Sequence, residues 1–217
     1  MVRTELISTT TTGRILIEDS PRGVSDRLLV GCHGYGQAAD TMLEQMMKIP
    51  GRESWRLASV QALHRFYTRN DGAVVASWMT RQDRDAAIAD NLAYMKRAVA
   101  AAGGDEARTI VLLGFSQGAS MAARAAAHAA RPMSGLIMLG GDIPPDVKDD
   151  PAVTLPSVLI GVGDTDQWYG ARVDADVAFL QSRGIPHDVV RFAGGHEFTA
   201  EFRQAAGAWL ERRATGA

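Results

Sequence analysis

The sequence predicts an α/β protein: a mostly parallel, twisted sheet with helices packed on both faces. Short β-branched or apolar runs alternate with longer helical stretches along the chain, the order produced by a sheet that is covered on both sides. The later runs are continuously apolar, as strands buried on both faces require. At 217 residues, with no repeat, low-complexity tract or interdomain linker, the chain is long enough for one well-buried core and short for two. A single domain over residues 1–217 is therefore expected.

Read from the N-terminus, Thr4 to Ser8 and Arg14 to Glu18 look like a hairpin around Gly13, and Arg27 to Cys32 is the next strand. A helix is expected over Ala38 to Lys48, then a strand at Leu57 to Val60. Gln61 to Gly72 reads as a loop, and a long helix from Arg81 to Ala101 follows it, ended by Gly103-Gly104. Strand Thr109 to Gly114 leads into helix Gln117 to Ala130. Strand Leu136 to Leu139 comes next, then a loop of low regularity marked by Pro144, Pro145 and Pro151. Strand Val158 to Val162, helix Ala171 to Ser182, strand Asp188 to Phe192 and helix Phe198 to Arg213 complete the alternation. The helix after Gly114 is dominated by alanine, which suits close packing on the sheet. Its larger polar residues Arg124, His128 and Arg131 recur at three- or four-residue intervals and are expected to form one solvent stripe.

The chemistry begins where Thr109 to Gly114 runs straight into Phe115-Ser116-Gln117-Gly118, a G-x-S-x-G pattern between a strand and a helix. That context makes a nucleophile elbow: Gly114 and Gly118 let flanking backbone come close while Ser116 is held at the tip in strained geometry. A serine hydroxyl is a poor nucleophile at neutral pH and needs a general base, itself kept in the right tautomer by an acid. Of the five histidines, only His187 and His196 lie beyond the elbow strand and its helix. His187 precedes a strand, whereas His196 follows the last one, at the carboxyl edge of the sheet where open α/β folds bind ligands. His196 is therefore the expected base, and His33, His64 and His128 are expected to be structural or solvated.

Strand Val158 to Val162 ends in Gly163-Asp164-Thr165-Asp166, which brings two carboxylates to the same edge. One can orient the imidazole while the other caps a helix or closes the turn. An oxyanion hole needs two backbone N–H groups, one from the residue after the nucleophile, Gln117, and one from the loop after an early strand. Cys32-His33-Gly34-Tyr35-Gly36-Gln37 supplies that loop, with Tyr35 as the expected second donor. Trp78 and Met79 stand where loops line an acyl pocket, although Trp78 fits core packing equally well. His64, Arg65 and Arg69 read as a solvated basic loop.

Composition excludes several alternatives. With 46% apolar and 22% charged residues the chain lacks the signature of disorder, and 23 basic against 25 acidic residues, for a net charge of -2, give no electrostatic footprint for nucleic acid. Cys32, the single cysteine, reads as a small buried hydrophobe. No signal-type or membrane-spanning apolar run is present, so a cytoplasmic protein without stable membrane insertion is expected. Homodimerisation would need an exposed apolar patch.

With these pieces in place, the sequence resembles the phospholipase/carboxylesterase family of α/β-hydrolases, which includes the acyl-protein thioesterases. The resemblance rests on His33-Gly34-Tyr35-Gly36-Gln37, Ser77-Trp78, Gly114 to Gly118, Gly163 to Asp166 and Gly194 to His196, and covers nearly the whole chain. It implies an α/β-hydrolase fold with no large lid domain and no metal or organic cofactor, and a small-molecule substrate: a carboxylic ester, a thioester or a lysophospholipid. It also assigns the acid to Asp166, three residues after the glycine that ends its strand. Two positions depart from the family pattern. Ala119 replaces a second glycine after the elbow, and Gln167-Trp168-Tyr169 replaces a Pro-Val-Val type of run, so that Trp168 is expected to shape the pocket. Because fold and triad do not choose the leaving group, a peptidase, a lactone hydrolase or a slowly turning-over ligand binder would present the same residues.

Overall fold

A computed structural model describes residues 1–23 and 25–214. Its elements alternate as the apolar pattern predicts: β1 (Arg14–Glu18), β2 (Arg27–Cys32), α1 (Ala39–Met47), β3 (Arg56–Gln61), β4 (His64–Tyr67), β5 (Val74–Ser77), α2 (Arg84–Ala101) and β6 (Thr109–Phe115). After these come α3 (Gln117–Ala127), β7 (Gly135–Leu139), α4 (Pro145–Lys148), β8 (Val158–Gly163), α5 (Val173–Ser182), β9 (His187–Phe192) and α6 (Ala200–Ala214). Seven strands form one sheet in the order β1-β3-β2-β6-β7-β8-β9; β1 is antiparallel to β3 and every other pairing is parallel. The α/β-hydrolase architecture is thus present, with helices on both faces and, among the described residues, no large separate lid.

The period-2 alternation of strand side chains sorts the core into two layers. Leu28, Val30, Ile110, Leu112 and Met138 face one layer with Met95 of α2, Met121 of α3 and Leu180 of α5. Leu29, Val111, Leu113 and Ile137 face the other, with Met42 and Met46 of α1 and Phe202 and Trp209 of α6. α2 ends as its glycines predict: Gly103, at φ 88°, donates its N–H to Ala100 O, and Gly104 N–H reaches Val99 O, a Schellman closure.

Four expectations are corrected. Thr4 to Ser8 forms no strand, and β1 pairs with β3 instead; the sheet edge lets β1 half-bury Ile15 and Leu16, whereas an isolated hairpin buries too little to persist. The stretch read as a loop supplies β4 and the turn of a hairpin completed by β5, closed over Asn70-Asp71-Gly72, with Thr68 N–H donating to Ala73 O (2.9 Å) and Gly72 at φ 68°. The proline-marked loop contains the single helical turn α4, which Pro145 starts by fixing φ where no N–H partner is needed. Arg124, His128 and Arg131 do not form one solvent stripe, because α3 ends at Ala127 and only Arg124 lies within it. His128 is exposed, but Arg124 is buried, and its guanidinium donates twice to Asp146 of α4 at 2.7 Å. β9 is also less apolar than its neighbours, because as an edge strand it leaves Asp188, Val189 and Arg191 exposed. No helix among the described residues is long and apolar enough to cross a membrane.

Candidate active site

Six parallel strands end at one edge of the sheet, and five of them, β2, β6, β7, β8 and β9, each deliver a piece of the site there. β6 runs straight into Ser116, whose backbone lies at φ 55° and ψ -121°, one of two non-glycine residues with positive φ among those described. The elbow is held by close packing: a Cβ on Gly114 would collide with the backbone of Gly118 and Ala119, and one on Gly118 with the carbonyls of Cys32 and His33. Leu139 O accepts the Ser116 N–H at 2.8 Å, which ties the turn to the neighbouring strand.

β8 and β9 together bring the acid and the imidazole into contact. Asp164 N–H donates to Phe192 O, and Thr165 donates to Gly194 O through both its backbone N–H and its hydroxyl, so the two loops are stitched side by side. Asp164 itself accepts the Gly194 N–H at 3.0 Å and stays exposed. Asp166 turns inward, where its Oδ2 lies 2.9 Å from His196 Nδ1 and its Oδ1 accepts the N–H groups of Trp168 (2.8 Å) and Tyr169 (3.0 Å). Burial alone would raise the Asp166 carboxyl, but the hydrogen bond from His196 and those from Tyr169 and Trp168 outweigh it and hold the group below its ordinary value. A carboxylate against Nδ1 fixes the proton on that nitrogen and leaves the Nε2 lone pair free. Phe115 packs on the His196 ring at 4.9 Å between centroids. Ser116 and His196 line one cavity of about 260 Å³; no direct hydrogen bond joins them.

The loop after β2 is anchored from below. Ala62 N–H donates to His33 Nε2 (3.1 Å), so the His33 proton sits on Nδ1, which lies 2.8 Å from Gly34 O. Burial lowers the His33 imidazole and keeps it neutral. Neither Tyr35 N–H nor Gln117 N–H has a hydrogen-bond acceptor among the described residues. The Gln117 side chain has a use that its sequence position does not reveal: Oε1 accepts the Trp78 N–H (2.9 Å) and Nε2 donates to Met79 O (2.9 Å), clamping that segment beside the elbow.

The pocket residues divide. Trp168 is 75% exposed and lines the cavity with Ser116. Trp78 does not reach it: the side chain is fully buried in the core, and its indole N–H donates to His33 O at 2.8 Å. Met79 is half-buried with its sulfur 3.8 Å from Arg124 Nη1, also away from the cavity. In their place Ser120, Asp142 and Arg172 form the wall. Gly140-Gly141-Asp142 could have been found from the sequence, since it follows the strand between those carrying Ser116 and Asp166. A second cavity of about 230 Å³, bordered by Met42, Phe115 and Phe198, adjoins the other side of His196.

Comparison with solved structures gives the same fold. The chain is similar to esterase PE8 (TM-score 0.72, 20% identity, covering 93% of this chain and 99% of that one). It is also similar to a carboxylesterase from Mesorhizobium loti (TM-score 0.70, 21% identity, 92% and 93% covered) and to the Bacillus cereus carboxylesterase (TM-score 0.68, 17% identity, 93% and 94% covered). No curated protein matches the chain. The family model described as Phospholipase/Carboxylesterase matches residues 17–201. With that match spanning the elbow, both carboxylates and His196, the chain belongs to the phospholipase/carboxylesterase family.

Proposed function

We propose that this single-domain protein is a serine carboxylesterase acting on small esters with short-to-medium acyl groups. The observation that carries the reading is the Asp166–His196 pair, whose imidazole lines the same cavity as the strained Ser116. His196 Nε2 takes the Ser116 hydroxyl proton as Oγ attacks the ester carbonyl, and the resulting oxyanion lies against the N–H groups of Tyr35 and Gln117. Collapse breaks the carbonyl–alcohol bond, and His196 returns its proton to the departing alcohol. Water, deprotonated by the same imidazole, then releases the acid from the acyl-serine. The carboxylesterase neighbours support ester substrates, and two cavities of about 260 and 230 Å³ on either side of His196 support small groups, being below the roughly 300–1,000 Å³ of drug-sized sites.

Hydrolysis of p-nitrophenyl esters of increasing acyl length, with a thioester and a lysophospholipid alongside, tests the reading in wild type and Ser116→Ala. Turnover that peaks at short-to-medium chains and falls by about 10⁴–10⁶-fold in the folded variant is the expected result. Equal activity in the variant, or none in wild type on any ester, would overturn it.

A further inference from the structure

The groove between α2 and α3 holds a cavity of about 210 Å³ that ester hydrolysis does not use. It lies away from the elbow: Ala125, on its wall, is nine residues beyond Ser116, about 13 Å along the helix axis. The opening comes from a mismatch in side-chain size. α3 and the residues just after it meet the groove with Ala125, Ala129 and Ala130, whereas α2 presents Leu92, Met95 and Val99, which share one helical face. Methyl groups facing larger chains leave the space between them unfilled, and Leu112 of β6 and Met133 extend the apolar lining.

The rim carries mostly one sign of charge. Lys96 and Arg131 stand at the opening, against the single carboxylate of Asp105, with the His128 ring beside them. Lys96 is exposed and has no ion-pair partner among the described residues. Arg131 directs one guanidinium N–H to Gly104 O at 3.0 Å, which holds the side chain at the mouth. An apolar recess with a cationic rim complements a molecule with an aliphatic tail and an anionic head. We propose that this groove binds a medium-chain aliphatic carboxylate, its tail between Leu92, Met95 and Val99 and the facing alanines, its carboxylate at Lys96 and Arg131. The recess is too small for a full-length lipid chain. The binding requires nothing of Ser116, so it stands or falls independently of the esterase reading.

Methionine methyl groups report the location directly, because Met95 and Met133 line this groove and Met42 lines the cavity beside His196. In carbon-13 methyl NMR of the whole protein, sodium octanoate is expected to shift Met95 and Met133 saturably while Met42 stays in place. Octylammonium, with the same tail and the opposite charge, should need at least about tenfold higher concentration, and Lys96→Glu should weaken octanoate by a similar factor. Ala129→Leu fills the recess and should abolish the response, with the unchanged Met42 signal reporting an intact fold. Absence of any shift at Met95 and Met133 would overturn the proposal. So would an equal response to octylammonium, which marks a merely apolar cavity, or a response confined to Met42, which assigns the carboxylate to the catalytic cleft.

Discussion

Ser116 is held at φ 55° and ψ -121°, a conformation that costs a side-chain-bearing residue about 1–3 kcal/mol. Glycine adopts it freely and gives back about 0.5–1 kcal/mol in chain entropy. Ser116→Gly should therefore raise stability by about 1 kcal/mol in urea unfolding while abolishing ester turnover, a direct reading of strain stored for function. The two carboxylates after β8 differ in the same concrete way. Asp166→Asn removes the acceptor that fixes the His196 tautomer and should lower kcat about 10⁴-fold. Asp164→Asn keeps an oxygen for the Gly194 N–H and should leave kcat near wild type; steady-state kinetics of both variants decides between them. Ser116 and His196 are legible in the sequence because a glycine-flanked elbow and a histidine after the last strand are local patterns. The choice of Asp166 over Asp164 rests on resemblance there, since both lie at the same edge. What separates them in space is that Asp164 is spent on the backbone of the neighbouring loop, and only the folded β8–β9 loops reveal it.

Among elements, the segment after β5 depends on a side chain from α3. Gln117 satisfies the Trp78 N–H and shares Met79 O with the Ser77 hydroxyl, so Gln117→Ala leaves the Trp78 N–H without a partner in a partly buried place and Met79 O with the Ser77 hydroxyl alone. The expected loss is about 1–3 kcal/mol, measured by chemical denaturation. Gln117→Glu, which keeps the acceptor for Trp78 but not the donor to Met79, should lose less. The helix and strand alternation is legible because it depends on period and on glycine at the ends of helices. The β4–β5 hairpin is not, because His64, Arg65 and Arg69 give it the look of a solvated loop, although Asn70-Asp71-Gly72 carries the turn signal. Trp78 illustrates the same limit: a large aromatic near the site suits either pocket or core, and burial under His33 and α2 makes it core.

On the scale of the molecule, Asp146 joins three helices, accepting from Arg124 of α3 and Arg84 of α2 at 2.7 Å each while sitting in α4. The hydrogen bonds from Arg124 hold its carboxyl well below the usual range, outweighing the burial that raises it, with Arg84 adding to the effect. A carboxylate depressed in the folded state contributes stability that is complete above its unfolded value of about 4 and is lost as pH falls further. Asp146→Asn should therefore cost about 2–3 kcal/mol at pH 7, less than a fully buried pair because a third of Asp146 meets water. The gap in thermal midpoint between variant and wild type should narrow as pH is lowered from 5 toward 2. By itself the sequence determined the alternating architecture, the elbow and the arrival of His196 at the carboxyl edge, because each follows from local period, turn chemistry and chain order. Only the tertiary structure decided that Arg124 is buried against Asp146, that Trp78 belongs to the core, and that Asp142 and Arg172 wall the site. Each of these depends on which distant element packs beside the residue, and partner and burial are properties of the folded chain, not of any window along it.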